Sequence, residues 1–179
     1  DEFIQEFSYH LFNRSSNGYY LPGSWRNDQR QEKMELKLKK LAQFLYPNRL
    51  FLTPEEKRSI IEVAYFFIID EASIGSSSIN ITCKDGIDRA GATNALVYIF
   101  LALIDASKGL LTEKKAREII DNLKTIVFAD ALMVKDREMI KARFSPWHQA
   151  VKDLMIAVIE QPNDFKELIS DINLQGFED

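Results

Sequence analysis

The sequence predicts an α/β fold that is strongly helix-rich: a strand, a phosphate-cradling loop and a long apolar helix at the centre, with about six further helices around them. Three observations lead there. Apolar residues recur at helical spacing over most of the chain, helix-capping signals punctuate it, and residues 79–82 alternate as a short strand that feeds a glycine-containing loop. A lone strand leaves its backbone groups unpaired, so the sheet is expected to be small or completed by sequence outside this chain.

In chain order, Phe3, Ile4, Phe7 and Leu11 place an amphipathic helix over 2–13. Residues 13–18 break it, and 19–26, with Pro22, Gly23 and Trp25, read as an aromatic-rich loop. A second helix starts at Asp28, with Met34, Leu38, Leu41 and Leu45 on one face, and ends at Pro47. Thr53, Pro54 and Glu56 form a capping box with proline at the first helical position. That helix runs to about Ser73, and its apolar half, 63–69, is expected to be deeply buried.

Residues 75–78 read as a connector before the strand. From Ala90 to Asp105 comes the most hydrophobic helix, closing near Gly109. Its apolar run, 95–104, is too short for a membrane span and suits a core helix. Thr112 caps a helix with Ala116, Ile119, Ile120, Leu123, Ile126 and Val127 facing inward. Ser145 and Pro146 start another, with Trp147, Val151, Leu154, Met155 and Val158 inward, and Pro162 starts a short last one.

A chain of 179 residues with 46% hydrophobic content suits one domain, 1–179. The net charge of -4 supplies no global field for nucleic acid, so any attraction for an anion is local. One cysteine excludes an internal disulfide and, with two histidines, argues against a structural zinc site. A reducing, cytosolic environment is the natural reading. The chain starts at Asp1 without a methionine and is expected to be a piece of a longer protein.

The chemistry is concentrated in 83–91. Cys83 and Arg89 stand in a Cys-x5-Arg pattern, with Gly86 between them and Gly91 just beyond. Such a loop, leading into a helix N-terminus, points backbone N–H groups at an anion, and the helix dipole adds positive potential. The same field favours a thiolate, whose pKa is roughly 8.5 when unperturbed. Arg89 is suited to grip two phosphate oxygens at once.

These residues resemble the signature of cysteine-based phosphatases of the protein-tyrosine-phosphatase superfamily. Cys83-Lys84-Asp85-Gly86-Ile87-Asp88-Arg89 looks closest to the myotubularin loop, and is similar to the Sac-type loop and to loops of bacterial effectors that dephosphorylate phosphoinositides. The resemblance spans little more than the loop. It implies a phosphoinositide phosphatase acting through a phosphocysteine, with Cys83 as nucleophile, Arg89 holding phosphate and a D3 phosphate as target.

It also implies a metal-free reaction without cofactors, a peripheral place at membranes and, as an effector, delivery into a host cell. Lys84, Asp85, Gly86, Ile87 and Gly91 would line the substrate. Asp88 is the first choice of general acid by the same resemblance, with Asp85 and Asp28 as rivals.

Two departures matter. Thr82 stands where many relatives have histidine, and Ala90 where they have serine or threonine, which implies slower turnover unless Thr93 supplies the hydroxyl. Many lipid phosphatases carry lysine where Ile87 stands. Lys135, Arg137, Lys141 and Arg143 offer a membrane-facing patch or a merely solvated one. The competing readings are a protein tyrosine or dual-specificity phosphatase, and a helical interaction module or pseudophosphatase.

Overall fold

Thr53 opens its helix as its neighbours require. Its hydroxyl accepts from the Glu56 N–H at 3.2 Å, and the Glu56 carboxylate accepts from the Thr53 N–H at 2.7 Å. Thr112 caps in the same way, accepting from the Lys115 N–H at 3.2 Å. In the computed structural model, which describes residues 2–12, 28–74, 78, 80–81, 87–110, 112–136 and 139–174, such signals delimit a bundle. Seven helices occur among the described residues: α1 (Glu2–Phe12), α2 (Asp28–Leu45), α3 (Pro54–Ser73), α4 (Asp88–Ser107), α5 (Glu113–Lys135), α6 (Lys141–Glu160) and α7 (Pro162–Leu168).

The α/β expectation is corrected by this architecture. No strand occurs among the described residues, and Asn80 and Ile81, the described part of the expected strand, lie outside any element. The strand–loop–helix core is therefore not seen, for a physical reason. Four alternating residues carry too little burial to hold an extended backbone without partner strands. The apolar face of α4 is meanwhile covered by helices, since α3, α5 and α6 all pack on it. The aromatic loop at 19–26 and the connector at 75–77 lie outside the described residues.

The core forms where the helical stripes meet. Met34, Leu38, Leu41 and Leu45 of α2 are buried, as are Val63, Ala64, Phe66 and Phe67 of α3. Phe66 stacks on Phe100 of α4 with ring centroids 4.0 Å apart, and Phe67 meets Phe100 edge-on at 5.7 Å. Among the described residues α4 is the one helix long and apolar enough to cross a membrane, with mean hydropathy 1.5. Ten of its residues, from Ala90 to Asp105, are buried among the other helices. Gly109 closes it at φ 74, a conformation glycine adopts at little cost.

Three local expectations shift. Met155, expected inward on α6, is 38% exposed. Ile120 was placed on the core face of α5 but is 56% exposed, because α5 packs mainly on α4 and buries only a narrow stripe that includes Ile119 and Val127. And α6 starts at Lys141, before Ser145 and Pro146, so Pro146 lies inside the helix. The Ala142 carbonyl then receives no helical hydrogen bond from residue 146, which lacks an N–H.

A half-buried carboxylate ties α6 to α3 and to the end of α2. Asp153 of α6 accepts from Tyr46 Oη at 2.6 Å, from Ser59 Oγ of α3 at 2.7 Å and from Gln149 Nε2 at 2.8 Å. Tyr46 follows the last residue of α2 directly. Burial, together with the Asp153 carboxylate, raises its phenol well above the usual range, so it stays a proton donor.

Candidate functional site

The loop leads into α4 through Ile87. Its side chain is buried at 2% exposure, and its carbonyl accepts from the Gly91 N–H at 2.9 Å. A buried Ile87 anchors the end of the loop in the core, so only its backbone can face a ligand. Cys83, Lys84, Asp85 and Gly86 lie outside the described residues, as do Thr82 and the side chain of Asp28.

Gly91 lies where α4 packs on α5. A Cβ there would lie 3.4 Å from the Val127 carbonyl oxygen and 3.5 Å from that of Ile126, ordinary van der Waals distances, so the packing itself does not demand glycine. Arg89 is exposed in the first turn of α4 and pairs with no carboxylate among the described residues. A cation at a helix N-terminus opposes the dipole. The same dipole favours an anion held in front of Arg89.

Asp88 is spatially committed. Its Oδ1 accepts from the Ile140 N–H at 3.0 Å, across to the residue that precedes α6. A carboxylate at the start of α4 suits the dipole, and it also supplies the acceptor that α6 lacks from any local side-chain cap. This separates two roles for Asp88. If it is the general acid, Asp88→Asn slows alkoxide leaving groups far more than aryl ones. If it only anchors α6, Asp88→Asn affects both leaving groups equally, and the shift shows in the melting temperature.

Beside this junction a groove of about 720 Å³ runs between α3 and the first turns of α6, lined by Arg58, Glu62, Lys141 and Arg143 among others. Sequence reasoning named Lys141 and Arg143 but missed Arg58, which lies far away in the chain. Burial raises the Glu62 carboxyl, and Arg143 only partly opposes it.

In the window between the unfolded value of 4.5 and the raised folded one, the native state holds the extra proton, so stability falls as pH rises through it. Glu62→Gln, which cannot ionise, is therefore expected to raise the melting temperature at neutral pH, with no gain once the pH is below 4.5. A lower melting temperature for Glu62→Gln at neutral pH would mean that the Arg143 attraction prevails.

A second buried polar cluster was not anticipated. Asp70 and Glu71 of α3 face Lys37 of α2, with the Lys37 Nζ 3.6 Å from Asp70 and 3.9 Å from Glu71. The available signal was two acids following the apolar run of α3, with lysine on the polar edge of α2. This cluster holds the chain after α7. No known protein family, curated protein or solved structure matches the chain.

Proposed function

We propose that the protein is a phosphoinositide phosphatase that removes a D3 phosphate through a phosphocysteine. The observation that carries this reading is the Cys-x5-Arg loop with its paired aspartates, running into the N-terminus of a buried helix whose first turn presents Arg89. The reading rests on the loop's chemistry and asks for no sheet.

In the first step the Cys83 thiolate attacks phosphorus in line. A P–S bond forms, the P–O bond to the inositol breaks, and the leaving alkoxide takes a proton from a carboxylic acid, Asp88 by preference. Arg89 and loop N–H groups hold the equatorial oxygens as charge builds on them. In the second step water attacks phosphorus, the P–S bond breaks, and inorganic phosphate leaves with the thiolate restored.

Phosphate release from a panel of phosphoinositides and a phosphotyrosine peptide tests this. Release from lipids phosphorylated at D3 is expected. Release from the peptide alone would move the assignment to a protein tyrosine phosphatase.

The helical architecture of the described residues favours a second reading, a helical interaction module in which Cys83 is a structural thiol. Alkylation separates the two. A Cys83 thiol that titrates near its ordinary value of roughly 8.5 and resists alkylation at neutral pH fits the module. A thiol that reacts readily there fits the enzyme.

A further inference from the structure

The basic groove beside Glu62 continues into a second, more apolar one, and Lys141 lines both. The second groove, of about 740 Å³, is bounded by Phe128, Leu132, Met139 and Phe144. Phe128 and Phe144 form its floor, their rings 5.7 Å apart. Leu132, in its lining, is 51% exposed, and Met133, the next residue along α5, is 85% exposed. Ile140, which precedes α6, also reaches solvent. Exposed aliphatic side chains grouped in this way mark a surface made for contact.

Charge surrounds them. Lys135 ends α5, Lys141 and Arg143 open α6, and Arg58 faces them from α3, all four exposed. Among the described residues, the acids near by are Glu62, recessed in the groove, Asp136, next to Lys135, and Asp88, whose carboxylate accepts from the Ile140 N–H. In a chain of net charge -4 this is a local positive surface.

We propose that the α5–α6 surface docks the protein on an anionic lipid bilayer, with Leu132 and Met133 entering the interfacial layer and Arg58, Lys135, Lys141 and Arg143 meeting lipid phosphates. Apolar side chains beside a ring of cations match the two attractions a bilayer offers, burial at the acyl boundary and a negative surface potential. Methionine, unbranched and adaptable, suits an irregular lipid surface. The Asp88–Ile140 hydrogen bond ties this surface to the start of α4. The proposal stands independently of the phosphoinositide reading.

The test is sedimentation of the full chain with vesicles of phosphatidylcholine, with and without phosphatidylserine. Binding to the anionic vesicles only, weakening with salt, is expected. The double variant Lys135→Gln, Lys141→Gln should bind at least about tenfold more weakly, and the double variant Leu132→Ser, Met133→Ser should also lose binding. Both should melt like wild type and keep wild-type activity on a soluble inositol phosphate.

Wild type failing to bind anionic vesicles, or both variants binding like wild type, overturns the proposal. So does a wild-type dimer that Leu132→Ser, Met133→Ser dissociates, since a second copy would then be the occupant. Because Cys83→Ser should bind vesicles normally, docking without phosphate release would sink only the enzymatic reading. Release from soluble substrate without docking would sink only this one.

Discussion

Replacing Cys83 with serine should lower phosphate release by about a thousandfold or more, with the melting temperature unchanged. The size follows from the nucleophile. A serine hydroxyl in the same position stays protonated at neutral pH, whereas a thiol, with an ordinary pKa of roughly 8.5, ionises far more readily. Arg89→Lys should cost about a hundredfold or more, because an ammonium cannot grip two equatorial oxygens at once. Single-turnover release of phosphate from a D3-phosphorylated inositol lipid reads both. Wild-type rates for Cys83→Ser would end the covalent mechanism.

Asp70→Ala should destabilise the fold by about 3–5 kcal/mol, lowering the melting temperature by on the order of 10 °C. The Asp70 carboxylate is fully buried. It accepts from the Asn173 N–H at 2.7 Å, the Leu174 N–H at 2.9 Å and Asn173 Nδ2 at 3.2 Å, and it faces the Lys37 ammonium. Alanine strands all of these at once.

Lys37 would keep only Glu71, 3.9 Å away, which also faces Lys33 at 3.7 Å. Lys37→Met should cost less, since Asp70 keeps its three N–H donors while the methionine avoids burying a charge. Urea denaturation compares the two. Asp70→Ala unfolding at the wild-type midpoint would show that residues 173–174 are held by something else.

Most helices were legible because their signals are local. A capping box at Thr53, a threonine cap at Thr112 and a proline at 162 act within a turn of the residues that carry them. The start of α6 was not legible for the same reason. Pro146 imitates a first-turn proline, while the true start at Lys141 has no side-chain cap of its own and relies on Asp88, from another helix, to accept the Ile140 N–H. Ile120 misled because a stripe of apolar residues says which side of α5 is greasy, not how much of that side α4 can cover.

By itself the sequence determined the helices, because caps and periodicity are set by neighbours along the chain; for the loop it supplies the spacing of Cys83, Asp88 and Arg89 on which the proposed chemistry rests. Tertiary structure alone decided that helices and not a sheet cover α4, that Asp70 grips residues 173–174, and that Arg58 joins Lys141 and Arg143 around one groove. Those arrangements depend on partners far apart in sequence. A buried charge or a bare helix end states only that it needs a partner, and packing chooses which one.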